Sequence, residues 1–319
     1  MTKKKFSFLA EEDNVDFYYS RFQKDKEKKL SEKDQLNLSL NFEKVARYRC
    51  SQINITKVLD EITFSLEIKT QYLLSTAFSK VKYFHVKLED YICSIDPQVM
   101  EYAFQITEPL EFIRHNVKFT QNKKGEIIGI LNLPNLHADW QNFRDQKLPE
   151  IEFYQKIKEQ NPKAAEDIIT TGNQEFSDEK KFQNAIHKNL FYHIFLKANV
   201  GEELEDFTIE QFSQLFPNQK LNTKVQKVKI KETASTIVLK LIGTLQRDSL
   251  SEEYLKQQYD EIYKPLIKYS YSEFNYIYRI NYTVDAQTGL LLEANAAISE
   301  KIKNNYECLT QFQLKKVEL

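Results

Sequence analysis

The sequence predicts an α+β fold built from two related antiparallel-sheet modules. Each carries a helix across one face, and a helical segment joins them. Three observations lead there. Apolar residues alternate with polar ones over Leu36–Phe42 and again over Ile62–Ile68, the period of strands with one buried and one wet face. Between Pro134 and Pro217 the period becomes helical. A weak internal repeat links the two ends: ITEPLEFIRHNVKFTQNKKGEIIGILN (residues 106–132) and IYKPLIKYSYSEFNYIYRINYTVDAQTGLLLEAN (residues 262–295). Each has a Pro-Leu step closing a helical stretch, then an aromatic strand, then a polar turn ending in Gly and an apolar strand. A period this long marks a duplicated module rather than a solenoid.

Four regions follow: a charged arm over 1–35, a first sheet-rich module over 36–133, a helical connecting segment over 134–217, and a second sheet-rich module over 218–319. In the first module His85–Cys93 reads as a strand. Asp96–Gln105 reads as a short helix with Asp96 as N-cap and Pro97 at its first position. Asn116–Thr120 and Glu126–Asn132 form a hairpin across Gln121–Gly125. In the connecting segment Leu148–Gln160 is helical and ends at Asn161-Pro162. Ser177 is placed to cap one helix over Asp178–Asn199, whose second half is apolar on several sides. Thr208–Phe216 reads as a further helix. The second module holds strands at Lys224–Ile230 and Ser235–Leu245, a helix over Ser251–Tyr263, an aromatic strand over Tyr269–Val284, a turn at Asp285–Gly289, and strands over Leu290–Ala296 and Tyr306–Val317.

Composition narrows the function classes. With 41% hydrophobic and 29% charged residues in 319, the chain has the make-up of a soluble globular protein. A net charge of −1 offers no basic domain, so nucleic acid is disfavoured as a partner. Lys3–Lys5 followed by Phe6–Ala10 imitate a signal peptide, but the apolar run is only about five residues, against the roughly 7–15 a signal core needs. No stretch has the roughly 20 apolar residues of a membrane span, and a cytoplasmic location is expected. Cys50, Cys93 and Cys308 are widely spaced and read as buried thiols. Scarce Gly with abundant Lys, Ile, Asn, Tyr and Phe suits an AT-rich bacterial genome.

Catalytic signatures do not emerge. Gly125 and Gly129 fall in a predicted hairpin, not at a strand-to-helix turn, and no nucleophile-elbow sequence occurs. His187 and His193, six apart, point in different directions on a helix. Glu108, Asp139, Glu261 and Asp285 sit at predicted element ends, where capping and turn formation account for them. No catalytic residue, metal or cofactor is assigned.

Three features remain as candidate partner contacts. Trp140, beside His137 and Asp139, is either a ligand platform or a plug at a domain junction. Tyr276, Tyr278 and Tyr282 share strand parity with Phe274, so they form one aromatic face, either core or interface. Lys227, Lys229 and Lys231 alternate with Val228 and Ile230, giving a cationic face that either meets an acidic partner or guards a sheet edge. The leading functional expectation is a non-enzymatic protein-binding module of adaptor, chaperone or toxin-neutralising type. The alternatives are a carrier of an apolar small molecule, which requires a cavity lined by Tyr and Phe, and a hydrolase working through carboxylates near His137, Asp139 and Trp140.

Overall fold

A computed structural model describes residues 40–78, 82–200 and 205–319. The expected arm over 1–35, and Leu36 and Leu38 of the first alternation, lie outside the described residues. The fold is α+β, with a large antiparallel sheet of eleven strands and eight α-helices among the described residues.

The chain lays down β1 (Glu43–Val58), β2 (Glu61–Phe78), β3 (Lys82–Asp96), β4 (Asn116–Gln121) and β5 (Ile127–Ile130) as neighbours, moving outward from the sheet centre. Between β3 and β4 it makes a 3-10 turn (Gln98–Ala103) and α1 (Phe104–Arg114). The expected helix near Asp96 therefore starts later. Pro109 does not close it but lies inside α1.

From β5 the chain passes through α2 (Leu133–Asn142), α3 (Glu152–Gln160), α4 (Pro162–Ser177), α5 (Glu179–His187) and α6 (Leu190–Ala198). It then re-enters the same sheet at its far edge. There β6 (Phe207–Phe212), β7 (Lys220–Glu232), β8 (Thr236–Leu245), β9 (Phe274–Asp285), β10 (Leu291–Ile302) and β11 (Tyr306–Val317) step back toward the centre. The last strand pairs antiparallel with β1 through twelve residue pairs, from Arg47–Val317 to Val58–Tyr306. At the usual interstrand spacing the sheet is about 50 Å across, the distance the helical segment bridges. The hairpin of the first repeat copy, β4–β5, lies at a sheet edge, whereas that of the second, β9–β10, lies inside the sheet.

Several expectations change for local reasons. Thr208–Phe216, read as a helix, contains β6 instead. Short apolar runs fit both periods, and pairing with Lys220–Val225 of β7 decides for the strand. The single helix over Asp178–Asn199 is two, because Asn189 adopts extended backbone and its side chain accepts a bond from Phe191 N. Asp178, not Ser177, caps α5, accepting from Lys180 N and Lys181 N. Asn161 both ends α3 and caps α4, a helix the sequence reading lacks. The helix near Ser251–Tyr263, the Asp285–Gly289 turn and β11 fall where expected.

One face of the sheet, here the inner face, carries the helices. Helix α6 is apolar nearly all round, and Phe191, Tyr192, Ile194, Phe195, Leu196 and Ala198 are buried. Phe191 stacks on Tyr72 of β2, and Phe195 meets Phe84 of β3 edge-on. The same core continues through Trp140, Phe176, Phe182 and Ile186 of α2, α4 and α5. A second core forms where α7 (Glu252–Ile262) and α8 (Lys264–Ile267) bring Leu255, Tyr259 and Tyr263 against Phe216, Phe274 and Ile302. On the opposite, outer face, the described chain contributes one small cover: Leu40 and Phe42 pack on Ala77, Tyr83 and Leu131.

Gly172 marks the tightest helix contact. A β-carbon there would stand 2.3 Å from the Trp140 ring, which is stacked on Phe176. Gly172→Ala should therefore destabilise by about 1–3 kcal/mol, although the same change in an open helix stabilises. A thermal melt measures the sign directly.

Candidate interaction face

The register assigns every strand side chain to a face, because orientation alternates along each strand. Tyr276, Tyr278 and Tyr282 of β9 all point inward with Phe274. Tyr278 and Tyr282 are enclosed, and Tyr276 is half-buried between the two cores. Trp140 is fully enclosed, donating from Nε1 to Asn173 Oδ1 at 2.9 Å. These four side chains thus sit in or against the core, where their large areas hold helices to sheet.

Lys227, Lys229 and Lys231 do not form one cationic face. Lys227 and Lys229 pair with Leu241 and Leu239, whose side chains point inward. A register shift between Lys229 and Lys231 then sets Lys231 opposite Val238, on the outer face. A β-bulge of this kind reverses facing by adding one residue. Nor is all of β7 an edge, since β6 covers Lys220–Val225.

Titratable groups outside these candidates are mostly locked into the fold. Arg114 of α1 pairs with Glu111 and, at 2.5 Å, with Glu175 of α4. Burial raises the Glu111 carboxyl, but Arg114 and His115 outweigh it and hold it down at about 2. His115 lies 2.8 Å from Glu111 and 3.2 Å from the Tyr192 hydroxyl, stacked on the Tyr192 ring. Glu300 is enclosed on β10, and burial raises its carboxyl. It accepts from Ser213 Oγ (2.5 Å) and Gln214 N (3.0 Å), pinning the β6–β7 loop. Burial also raises the thiols, Cys93 to about 11 and Cys308 to about 12, so neither is thiolate at neutral pH.

Two open clefts lie among the helices. One, about 360 Å³, is lined by Arg144, Asp145, Tyr154 and Lys158. The other, about 450 Å³, runs between α1 and α2 and brings together Glu108, Asp139, Phe112 and Lys147. Neither is an aromatic cavity between sheet and helices. Among the described residues no group of three or more His, Cys, Asp or Glu is arranged to hold a metal ion.

The outer face over the central strands is different: residues far apart in sequence form rows across it. Ile55, Leu309, Ser299 and Ile277 stand side by side on β1, β11, β10 and β9. The next row is Ile53, Gln311, Ala297, Arg279 and Ile242. Ile277 is 49% exposed, and Ile62, flanking the first row on β2, is 58% exposed. Around this aliphatic centre the surface is polar, with Gln313, Asn295 and Asn281 in a third row. An apolar centre within a polar surround has the anatomy of a binding patch. Sequence reading missed it because no single strand carries it.

The buried tyrosines give a pH test. His193 of α6 and the Tyr278 hydroxyl share a hydrogen bond at 2.6 Å. Burial, with Lys197 and His187 nearby, pushes the imidazole down to about 4. A base with a depressed folded pKa contributes stability above its unfolded value that is lost as pH falls toward the folded one. Melting temperature should drop between pH 6.5 and about 4, by an amount equivalent to at most about 3 kcal/mol. The drop should be shallower in His193→Gln, and parallel melting curves for the two proteins would remove His193 as its source.

No family model and no curated protein matches the chain. Among solved structures it is similar to one titled "Lipid-protein interactions in lipovitellin", at 10% identity and a TM-score of 0.40. The match covers 88% of this chain and 26% of the lipovitellin chain. A likeness at this level carries no argument about fold or function. No helix among the described residues is long and apolar enough to cross a membrane.

Proposed function

We propose that this protein is a non-enzymatic protein-binding module that works through the outer face of its sheet. The observation that carries the reading is the aliphatic row of half-buried Ile55 and Leu309 with exposed Ile277, on the outer face of strands β1, β11 and β9 whose inner faces carry the core. A sheet this size needs one buried face to be stable. The second face is then available for a partner, and β-branched side chains on it are preordered at χ1, so docking costs little side-chain entropy. The titratable clusters support the same reading, since Arg114, Glu111, His115 and Glu300 are committed to holding helices and loops in place. The internal repeat fits two halves descended from one module and meeting at β1 and β11. An adaptor role in a bacterial cytoplasm is consistent with the composition.

The test uses two outward side chains whose loss leaves both cores intact. The double variant Ile62→Asn, Ile277→Asn should melt close to the wild type, since surface changes of this sort cost about 0.5 kcal/mol or less. A tagged wild-type protein, incubated with native lysate and read by quantitative mass spectrometry, should enrich a stoichiometric protein that the double variant enriches at least roughly tenfold less. Equal enrichment by both proteins would sink the outer-face reading.

A further inference from the structure

Resting on that reading, we infer that the partner of the outer face presents an acidic, amphipathic protein segment. The observation is a set of cations left unmatched on this face. Several cations there are matched by carboxylates: Arg47 with Glu89, Lys69 with Glu67, and Lys57 and Lys301 with Glu307. Arg49, Lys240, Arg279 and Lys315 have no carboxylate within ion-pair distance among the described residues. They lie within three rows of one another.

Arg49 and Lys315 are direct cross-strand neighbours on the β1–β11 seam. Like charges facing each other across a strand pair are unfavourable. Glu293 stands beside Lys315 on β10, but its Oε1 accepts instead from Thr283 Oγ1 at 3.2 Å. Arg279 and Lys240 lie on the diagonal between β9 and β8, beside Ile242. Among the described residues, cations without an ion-paired carboxylate thus gather beside the aliphatic row.

Dimension and shape narrow the occupant. From Ile55 to Arg49 the surface runs six residues along β1, about 20 Å, which is the length of about 13 residues of helix. An amphipathic segment of that length would set apolar side chains on Ile55, Leu309 and Ile277 and carboxylates over Arg279, Lys315 and Arg49. Self-association through this face would bring cations against cations, so a second copy is the wrong occupant. Neighbouring strands twist by roughly 20–25°, so a planar bilayer cannot lie along the five strands from β2 to β9. Among the described residues the outward positions of those strands also carry no exposed Phe or Trp for bases to stack on, unlike a single-strand nucleic-acid platform.

The probe is poly-L-glutamate, titrated into the full chain and followed by calorimetry. Wild type should bind it and lose at least roughly tenfold in affinity as NaCl rises from about 50 to about 300 mM. The triple variant Arg49→Gln, Arg279→Gln, Lys315→Gln should lose roughly tenfold or more at low salt without a lower melting temperature. A control triple on the helical side, Lys158→Gln, Lys163→Gln, Lys256→Gln, should bind like wild type. Absence of binding, or an equal loss in both triples, overturns the inference. Tighter binding of a short DNA duplex or of phosphatidylserine vesicles overturns the assignment of a protein partner. If the lysate partner is lost with Ile62→Asn, Ile277→Asn but kept by the outer-face charge triple, the docking face stands and its acidic partner falls. If the lysate partner ignores the isoleucines while poly-L-glutamate binding still depends on the charge triple, the docking reading fails on its own.

Discussion

The β1–β11 seam is the constraint on which the rest of this structure depends. Twelve residue pairs join a strand from the start of the described chain to one at its end. Every other strand neighbour in the sheet is also a neighbour in sequence. Ladders made by hairpins form locally, but the seam closes a loop of more than two hundred residues and depends on both halves already having their twist and register. Once it forms, the two meanders share one sheet, and the chain between their outer edges must cross the sheet's whole width. The five helices α2–α6 make that crossing, and their apolar sides have one sheet face to bury against.

One-sided cover follows from this topology and divides the residue types. On the inner face aromatic residues do the packing: Tyr48, Tyr72, Phe84 and Tyr278 meet α6, and Phe274 meets the α7–α8 core. Charges enclosed there are each answered. Glu300 accepts from a hydroxyl and loop amides, and Arg114 sits between Glu111 and Glu175, because an unanswered buried charge costs several kcal/mol. On the outer face such compensation is unnecessary in water, and among the described residues Arg279 and Lys315 stand without carboxylates. The two faces thus differ: Glu300 and Arg114 beneath the helices are answered by partners, while Arg279 and Lys315 on the outer face have no carboxylate partner among the described residues.

Much of the secondary structure was legible in the sequence. The β4–β5 hairpin and the Asp285 turn are local chemistry, written in side chains that bond their own neighbouring backbone. Errors arose where local signals were balanced. TIEQF fits helix and strand alike, and its pairing with β7 lies outside any local window. Pro109 has the local signature of a terminator, yet α1 runs through it. The lysines of β7 looked like one face until the bulge between Lys229 and Lys231 moved the last of them across.

By itself, then, the sequence determined the α+β class, the alternating faces of individual strands, the aromatic parity of β9 and the turns, because each depends on residues a few positions apart. The tertiary structure alone decided that Trp140, Tyr278 and Tyr282 are enclosed, and that Ile55, Leu309 and Ile277 lie side by side. Burial and cross-strand adjacency depend on partners more than a hundred residues away: the Ile55–Leu309 contact exists only because β11 returns to β1. A one-residue change of that register would turn the aliphatic row inward and the aromatic one out, so the candidate site belongs to the seam rather than to any stretch of sequence.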